Sequence, residues 1–444
     1  MICTVYSDRE RALLALDLAR AMLAERWTAT GAAEAGAARL GHWPSWLDAL
    51  AMHVTSVHRR PPSEQNLGAL TRAIAAFLAE RRAGPEHPVT PVLSRLRPAL
   101  RPRPRWPVAA VASVADLAEV LELSGGQLAW LADVRSLERT VAAERLRNYR
   151  YAAIPRRRGL PRVIEAPKLR LKEVQRWILR EILEHVPVHD AAQGFTRGRS
   201  VVDHARCHSA QPVLLRLDLA DFFASVAAGR VFGIFRMLGY RDDVAHVLTG
   251  LATNVVPQHV WNVVRTNATA PPAATFHLGR ALATPHLPQG APTSPALANL
   301  AAFRLDRRLS GLAARIGLRY SRYADDLAFS GGRLRRGGRG LEAFVAEIAR
   351  AEGFALNPDK SVLRTRAARQ SVCGIVVNAA PNVTRTEYDR LKAMLHNAAR
   401  YGPASQGLAG HAAHLRGRIA WVASLHPARG EKLLRRFEDI DWLA

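Results

Sequence analysis

Cysteine is scarce in this chain of 444 residues. Only Cys3, Cys207 and Cys373 occur, and no two of them form a CxxC pair, so the sequence supports neither a disulfide framework nor a thiolate zinc site. No apolar run reaches the length of a membrane span, and the N-terminus lacks the basic-then-apolar order of a signal peptide. We therefore expect a cytoplasmic protein that has no membrane partner.

Acidic residues are also few relative to basic ones. The chain has 38 Asp and Glu against 63 Lys and Arg, which gives a formal net charge of +25. A GC-biased genome would raise the number of arginines, but it would not by itself keep the acidic count so low. We expect a nucleic-acid partner, because each phosphate that a protein neutralises releases counterions. Apolar residues make up 48% of the chain, which indicates a folded protein with room for two or more domains.

The N-terminal region, residues 1–84, has the patterning of helices. Ser7-Asp8-Arg9-Glu10 is a capping box that predicts the start of an amphipathic helix. A later helix is predicted from about Ser63 to Gly84-Pro85, which is a stop signal. Residues 85–107 are rich in Pro and Arg, which predicts a stiff, basic linker that could also touch phosphates.

A short helical lead-in is predicted at residues 108–144, with helices that open at Ser113 and Ser124. A glycine-containing turn separates them, so the pair resembles a helix-turn-helix. Two small helices that pack on a larger core are the commoner explanation, and we favour it. Strand-like and helix-like segments then alternate from about Tyr149 to Asn378, which predicts an α+β domain. The last part of the chain returns to helical patterning.

The most informative segment is Tyr320-Ser321-Arg322-Tyr323-Ala324-Asp325-Asp326-Leu327-Ala328-Phe329. β-Favouring residues flank a short acidic centre, which predicts a hairpin with Asp325 and Asp326 at its turn. Two adjacent carboxylates repel each other unless a cation lies against them. An Asp-Asp turn alone is most often a solvated loop, so the pattern needs support from elsewhere in the chain.

That support lies far upstream, at Asp218. The segment from Val213 to Leu219 has the pattern of a buried strand that meets a carboxylate, which is costly unless the carboxylate is paired or binds a metal. If this strand lies beside the hairpin, Asp218, Asp325 and Asp326 share one patch of sheet edge. Oxygen ligands without His or Cys suit Mg²⁺, and two such ions are a recurring solution for in-line phosphoryl transfer.

These segments, in this order, resemble the motifs of reverse transcriptases. LDLADFF at 217–223, LPQGAPTSPALANL at 287–300 and YADD at 323–326 resemble motifs A, B and C. The segment from Ile154 to Ile164 and Lys172-Glu173-Val174-Gln175-Arg176 resemble the fingers motifs of bacterial enzymes, and Asn357-Pro358-Asp359-Lys360-Ser361 resembles motif D. The resemblance covers about residues 145–444.

Within the bacterial enzymes, the chain is most similar to retron reverse transcriptases. DAAQGFTRGRS at 190–200, the form of motif B and the closing segment from Leu415 to Phe437 carry this likeness. Two hallmarks differ: His204-Ala205-Arg206-Cys207-His208 stands where retron enzymes carry Asn-Ala-x-x-His, and Val372-Cys373-Gly374 stands where they carry Val-Thr-Gly. A true retron enzyme and a related defence-associated reverse transcriptase therefore both stay open.

The resemblance also implies roles in nucleotide binding. Arg162, assisted by Arg156, would contact the incoming nucleotide, since a rigid guanidinium can bind two oxygens at once. Phe223 would pack under the sugar and exclude a 2′-hydroxyl, which would make DNA the product. A core position is the competing interpretation for Phe222. Asp221 is left out of the catalytic set as a solvated or paired residue.

Motifs B and D supply three further candidates. Gln289 would hydrogen-bond the nucleotide, and Gly290 would let the backbone approach it closely in a turn before a helix that begins near Thr293. Lys360 is a candidate general acid for pyrophosphate, with simple electrostatics as the alternative. The basic ridges at Arg416, Arg418, Arg435 and Arg436 would grip a template–primer duplex through its backbone.

His204 and His208 are spaced to share one face of a helix and, with Cys207 between them, superficially suggest a metal site. No fourth ligand lies nearby in the sequence. Structural hydrogen bonding or RNA contact is therefore favoured over zinc.

The sequence thus predicts an α+β right-hand polymerase with a helical N-terminal extension. The predicted fingers are residues 145–211, the palm is 212–378 with an antiparallel sheet, and the helical thumb is 379–444. The resemblance implies an RNA-directed DNA polymerase that uses two Mg²⁺ ions, with Mn²⁺ as a substitute, and deoxynucleoside triphosphates. Its partner would be a structured noncoding RNA that serves as template and primer, and its product a short DNA joined to that RNA.

The biological role implied is antiphage defence, with an effector protein or self-association as a further partner. One alternative is a defence-associated enzyme that makes DNA without a retron RNA, for example on a protein primer. Another is a catalytically silent RNA-binding scaffold, which the intact set Asp218, Asp325 and Asp326 argues against. A group II intron-type enzyme would normally carry a maturase region beyond the palm, for which the residues after Asn378 are too few.

Overall fold

The computed structural model describes residues 8–23, 27–40, 43–58, 67–80, 106–141, 143–156, 159–266, 271–407 and 410–442. The chain divides into two compact units, Met1–Pro102 and Arg103–Ala444. The predicted linker at 85–107 lies almost wholly outside the described residues, and so do Ser7 and Ser63, the predicted starts of two N-terminal helices.

The first unit is helical, as its patterning predicts. Its described helices are α1 (Asp8–Leu23), α2 (Ala29–Leu40), α3 (Leu47–Val57) and α4 (Leu67–Glu80). They pack around a shared apolar core in which Leu18, Met22, Leu50 and Ile74 are fully buried.

The second unit begins with the short helices α5 (Val114–Val120), α6 (Gly125–Leu131) and α7 (Leu137–Thr140). Ser113 and Ser124 cap the first two, as predicted, because each hydroxyl accepts a hydrogen bond from the amide three residues further on. Leu117 and Leu128 are buried in the main core of this unit. The two helices therefore pack on a larger core, which is the interpretation that the sequence favours.

A separate antiparallel hairpin precedes the main sheet. It consists of β1 (Tyr149–Ile154) and β2 (Arg162–Pro167), with Ile154 opposite Arg162. The amphipathic helix α8 (Leu169–Glu181) follows and buries Leu171 and Ile178. These elements fall in the region predicted as fingers.

The main sheet lies in the predicted palm, and in the described residues it has four strands in the order β4-β5-β3-β6. Its strands are β3 (Val213–Asp218), β4 (Arg319–Tyr323), β5 (Asp326–Ser330) and β6 (Val362–Thr365), and all neighbours are antiparallel. Side chains alternate along β3. Leu215 and Leu217 enter the main core, whereas Leu214 enters the core shared with the C-terminal helices. A strand that is buried on both faces explains the continuous apolar run before Asp218.

Helices surround the sheet and the C-terminal region is helical, as predicted. The helices before and within the palm are α9 (Val201–Cys207), α10 (Ala228–Met237), α11 (Asp242–Ala252), α12 (Gln258–Thr266), α13 (Pro272–Leu282), α14 (Ser294–Ala301), α15 (Phe303–Arg315) and α16 (Leu334–Ala351). A small hairpin, β7 (Ser371–Val372) and β8 (Ile375–Val376), leads to α17 (Arg385–Tyr401), α18 (Ala412–Leu425) and α19 (Pro427–Glu438). Within the described residues, no helix has both the length and the apolar content needed to cross a membrane.

Candidate active site

The turn between β4 and β5 carries the acidic pair that the sequence singles out. Tyr323 and Asp326 are the last paired residues of the hairpin, so Ala324 and Asp325 form its turn. Ala324 has a φ of 55°, in the left-handed region that such two-residue turns use. The prediction that both aspartates lie at the turn is wrong by one residue, because Asp326 is the first residue of β5.

Asp218 meets this turn at the end of β3. It lies directly opposite Asp326 in the antiparallel pair, and the amide of Leu219 donates a hydrogen bond of 2.9 Å to the carbonyl of Asp325. Burial raises the pKa of Asp325, and the negative charge of Asp218 raises it further. Burial also raises the pKa of Asp326, although the charge of Arg216 acts in the opposite direction. Three mutually repelling carboxylates therefore share one sheet edge, as the sequence predicts.

Lys360 lies within this site. Its Nζ atom is 2.8 Å from both carboxylate oxygens of Asp218. The short 3-10 turn that carries it (Pro358–Lys360) is held against β3, because the amide of Asn357 donates a hydrogen bond of 2.7 Å to the carbonyl of Asp218. The Lys360 side chain is 49% exposed, against 9% for Asp218. The ammonium is therefore an exchangeable counter-ion for the most buried carboxylate.

The fit of this site to divalent cations rests on its donor set. In the part of the chain that the structure describes, no three His, Cys, Asp or Glu side chains are arranged to hold a metal ion as they stand. The three carboxylates are nevertheless hard oxygen donors. Burial, together with the repulsion from Asp218, raises the pKa values of Asp325 and Asp326, and a cation would offset both effects. Asp218 would exchange the Lys360 ammonium for the ion. The residues therefore fit a hard divalent cation after a local side-chain rearrangement.

The motif B turn is joined to the fingers hairpin. The amide of Glu165 on β2 donates a hydrogen bond of 2.8 Å to the carbonyl of Gln289. Gly290 has a φ of 129°, and a Cβ there would lie 3.0 Å from the carbonyl oxygen of Glu165. Glycine is therefore required for close approach to β2, while the predicted approach to a nucleotide stays a prediction. Helix α14 begins at Ser294, next to the predicted start at Thr293.

The buried carboxylate of Glu165 strengthens this junction. It accepts hydrogen bonds from His286 Nε2 at 3.0 Å and from Asn254 Nδ2 at 2.8 Å. Burial alone would lower the pKa of His286, but the charge and the hydrogen bond of Glu165 raise it, and the net shift is upward. Sequence reasoning missed this group, although a Glu between apolar residues of β2 is a signal for a buried polar partner.

A second buried polar group lies beneath the turn between β4 and β5, and sequence patterns did not indicate it either. Arg322 and Asp306 are both fully buried. The guanidinium donates to Asp306 at 2.9 and 2.6 Å, to Asn299 Oδ1 at 3.0 Å and to the carbonyl of Ala324 at 3.0 Å. Burial alone would lower the pKa of Arg322, but Asp306 offsets this and the net pKa is raised. Arg322 thus joins the turn backbone to α14 and α15.

The two phenylalanines after Asp218 occupy different environments. Phe222 is buried and stacks on Phe354 with ring centroids 5.7 Å apart, which agrees with the core interpretation, although both phenylalanines lie in a turn and not on a strand. Phe223 is part-buried. Its ring lies 6.3 Å from that of Phe195, which in turn lies 6.2 Å from the ring of Tyr323.

The predicted basic residues divide between the fingers and the thumb. Arg156 and Arg162 are exposed at the two strand ends of the β1–β2 hairpin. Burial raises the pKa of Asp221, three residues after Asp218, and the positive charge of Arg156 acts in the opposite direction. Asp221 has a φ of 46°. No contact among the described residues joins Arg162 to the carboxylates.

The four thumb arginines lie on the last two helices, away from the carboxylates along the chain. Arg416 and Arg418 are on α18, and Arg435 and Arg436 are on α19. Arg416 and Arg435 are exposed, whereas Arg418 and Arg436 are part-buried.

His204 and His208 are buried and hydrogen-bonded to serines of the β4–β5 hairpin. His208 contacts Ser330 and Ser321 at 2.8 Å each, and His204 contacts Ser321 at 2.8 Å. Burial lowers the pKa of His204 to about 4 and that of His208 to about 3. Both are therefore neutral at pH 7. Structural hydrogen bonding, which the sequence favours over zinc, is what the structure contains.

The divergent Cys373 also lies at the site. Its thiol donates to Asp326 Oδ2 at a distance of 3.6 Å, and it stands where retron enzymes carry Thr in Val-Thr-Gly. The replacement therefore keeps a hydrogen-bond donor next to the Asp326 carboxylate, although a weaker one.

Comparison with known proteins agrees with this geometry. Residues 154–388 match the family described as reverse transcriptase (RNA-dependent DNA polymerase). The chain is 42% identical over 295 residues to the Retron Mx65 reverse transcriptase of Myxococcus xanthus, which covers 66% of this chain and 65% of that protein. It is 36% identical over 348 residues to the Retron Mx162 reverse transcriptase of Myxococcus xanthus (74% and 67%) and 30% identical over 274 residues to the Retron Ec86 reverse transcriptase of Escherichia coli (62% and 74%).

The chain thus spans about two thirds of the length of the first two of these relatives. A foamy viral protease–reverse transcriptase in complex with double-stranded DNA matches at 14% identity with a TM-score of 0.30, covering 90% of this chain and 61% of that one, which is too low to bear on the fold. The family match covers more than half of the chain and includes all three carboxylates. The chain belongs to the reverse transcriptase family and, within it, to the retron type.

Proposed function

We propose that this protein is an RNA-directed DNA polymerase that copies a structured noncoding RNA into a short DNA joined to that RNA, as part of antiphage defence. The observation that carries the proposal is the meeting of Asp218, Asp325 and Asp326 at one sheet edge in a chain of the reverse transcriptase family. A scaffold that only binds RNA would gain nothing from three repelling carboxylates beside a polyanion.

In this proposal Asp218, Asp325 and Asp326 hold two divalent cations, Mg²⁺ or Mn²⁺ in its place. Such ions, when bound, supply the positive charge that activates a primer 3′-hydroxyl and neutralises a departing pyrophosphate. Lys360, once it leaves Asp218, is close enough to the same edge to give a proton or its charge to the pyrophosphate. Arg156 and Arg162, from the predicted fingers, would bind the triphosphate.

Three residues around the site would take part in selecting the nucleotide. Phe223 would pack under the sugar and exclude a 2′-hydroxyl, while Gln289 would hydrogen-bond the nucleotide from the motif B turn. Gly290 keeps that turn against β2, since a Cβ at this position would lie only 3.0 Å from the Glu165 carbonyl oxygen.

The RNA partner is supported by charge and by the relatives. The chain carries a formal net charge of +25, and the proteins it resembles are named retron reverse transcriptases. Arg416, Arg418, Arg435 and Arg436 on the thumb would bind the backbone of the RNA–DNA duplex. The low cysteine count favours a cytoplasmic location.

A defence polymerase that uses a protein primer is the second candidate. The observation that favours it is the divergence of two retron hallmarks, at His204–His208 and at Val372-Cys373-Gly374. The first of these segments, however, contains buried histidines that hydrogen-bond Ser321 and Ser330. This is a structural role, and it is compatible with either primer.

Two experiments test the proposal. The first is to purify the protein from its native operon and sequence the nucleic acid that accompanies it: an attached RNA–DNA hybrid supports the retron function, and protein-linked DNA supports the second candidate. The second is primer extension with magnesium, template, primer and deoxynucleotides. Asp325→Asn together with Asp326→Asn should abolish incorporation and leave RNA co-purification intact.

The chain offers a matched control for this double variant. Asp242 and Asp243 are another adjacent aspartate pair, at the start of α11 and paired with Arg236 and Arg241. Their double Asn variant should keep polymerase activity within about threefold, because ion pairs that stay in partial contact with solvent contribute little to stability. Inactive wild-type protein would refute the proposed activity, and an equally inactive control would refute the special role of the catalytic turn.

A further inference from the structure

An exposed aromatic residue lies beside the catalytic turn in a strained backbone conformation. Phe195 is 50% exposed and has a φ of 60°, a region that bulky side chains rarely adopt. Its ring lies between those of Phe223 and Tyr323, at 6.3 and 6.2 Å. Neither burial nor a favourable backbone explains a phenylalanine at this position.

The segment that carries Phe195 is fixed against the catalytic hairpin. The amide of Gln193 donates to the carbonyl of Arg322 at 2.7 Å, and the amide of Arg322 donates to the carbonyl of Ala191 at 2.7 Å. Asn299 Nδ2 donates to the carbonyl of Gly194 at 2.9 Å. The segment therefore extends the sheet along β4 for a short distance and cannot move independently of the turn.

Gly194 shows how close this approach is. A Cβ at Gly194 would lie 2.8 Å from the amide nitrogen of Ala324 and 3.2 Å from the ring of Tyr323. Arg199 holds the same segment from the other side, because its Nη1 atom donates to the carbonyl of Ala192 at 2.9 Å. The strain at Phe195 is thus imposed by an over-determined backbone, which is the pattern found where strain serves a function.

We propose that Phe195 is a positioning residue that holds Phe223 in place as the wall of the sugar pocket, and so takes part in the selection of deoxyribonucleotides over ribonucleotides. The inference rests on the proposed function of Phe223. A ring excludes a 2′-hydroxyl only if it cannot swing away when the hydroxyl arrives. Phe222 supports Phe223 from the core, with centroids 5.6 Å apart, and Phe195 supports it from the solvent side.

The test is a ratio of two rates measured on one enzyme preparation. Full-length Phe195→Ala protein is assayed for incorporation of a single deoxynucleotide and of the matching ribonucleotide on the same template and primer. The kcat/KM ratio of ribonucleotide to deoxynucleotide should rise by roughly three- to tenfold, the range expected for the loss of one aromatic pair. Because both rates come from the same sample, the ratio does not depend on the fraction of folded protein.

Four further variants separate positioning from general damage. Phe195→Tyr keeps the ring and should restore the wild-type ratio. Phe344→Ala removes another exposed phenylalanine, which is 66% exposed on α16, and should not change the ratio. If Phe195 acts through Phe223, the double variant Phe195→Ala with Phe223→Ala should discriminate no worse than Phe223→Ala alone.

An unchanged ratio in Phe195→Ala overturns the inference, and so does a double variant whose effects simply add. Either result leaves DNA synthesis by the wild type untouched, so it does not bear on the proposed polymerase activity. A wild-type protein that incorporates no nucleotide overturns the proposed function and the inference together.

Discussion

The buried pair of Arg322 and Asp306 gives the sharpest prediction about the catalytic turn. Arg322→Met keeps an unbranched apolar side chain but removes its charge and its donors. Asp306, with no exposed surface, would keep a negative charge that nothing balances. Asn299 and the carbonyl of Ala324 would each lose a hydrogen bond of 3.0 Å.

The expected cost follows from the desolvation of Asp306. Removing one partner of a buried ion pair typically destabilises a protein by about 3–5 kcal/mol. The control is Arg385→Met on α17, whose ion pair with Asp389 is exposed, and it should change the free energy of unfolding by less than about 0.5 kcal/mol. Urea unfolding of the full-length chain, followed by circular dichroism, measures both.

A double variant separates stability from positioning. Arg322→Met with Asp306→Asn removes both charges and keeps an acceptor for the hydroxyl of Tyr320, which contacts Asp306 at 2.8 Å. It should recover at least about 2 kcal/mol relative to Arg322→Met. Primer extension should nevertheless stay at least tenfold below wild type, because the Ala324 carbonyl still lacks its donor.

Two results would refute this reasoning. A single variant that costs less than about 1 kcal/mol would mean that Asp306 is not desolvated as the buried pair requires. Full polymerase activity in the double variant would mean that Arg322 contributes to stability alone and does not position the turn.

Further predictions concern pH, salt and the motif B turn. Burial lowers the pKa of His204 to about 4 and of His208 to about 3, from 6.5. The folded state should therefore have its full stability above pH 6.5 and lose stability as the pH falls from 6.5 towards these values, with His204 alone costing roughly 3 kcal/mol by pH 4. When both histidines are replaced by Gln, the urea midpoint should depend less on pH. Duplex affinity should fall by roughly 10³–10⁵ between 50 and 200 mM salt if six to ten phosphates are contacted, and Arg416→Ala should lower the slope by about 1 in filter binding. Gly290→Ala should destabilise the protein by about 1–3 kcal/mol in urea unfolding, whereas Gly340→Ala on α16, where a Cβ meets nothing within 4 Å, should not destabilise it.

The parts of the fold that sequence predicts well are those set by local patterns. The apolar run before Asp218 predicts a buried strand, and β3 is buried on both faces. Serine followed by a polar residue three positions later predicts the caps at Ser113 and Ser124. The hairpin around Asp325 is also predicted, and its one-residue error in register arises because Ala324, with a left-handed φ, takes the turn position.

The buried polar groups could not be predicted because their partners are distant in sequence. Nothing in the segment around Arg322 indicates that Asp306 will accept from its guanidinium, and an arginine in a strand is most often exposed. The same holds for Glu165, whose partner His286 lies 121 residues further along the chain. Nothing in the local sequence indicates the left-handed backbone of Phe195, since this conformation follows from contacts with the hairpin.

Arg322, one of these unpredicted residues, has a structural connection with the carboxylates of the site. A buried ion pair is weak evidence for stability, since an apolar pair of similar size often does as well. Arg322 nevertheless lies beneath the turn that carries Asp325, and it donates to the backbone of that turn, which an apolar residue could not do. A site that must hold repelling carboxylates in fixed positions needs supporting residues whose own positions are locked. The buried charge of Arg322 therefore serves to fix the positions of the carboxylates at the turn. Substrate and cations that bind those carboxylates should stabilise the same turn further.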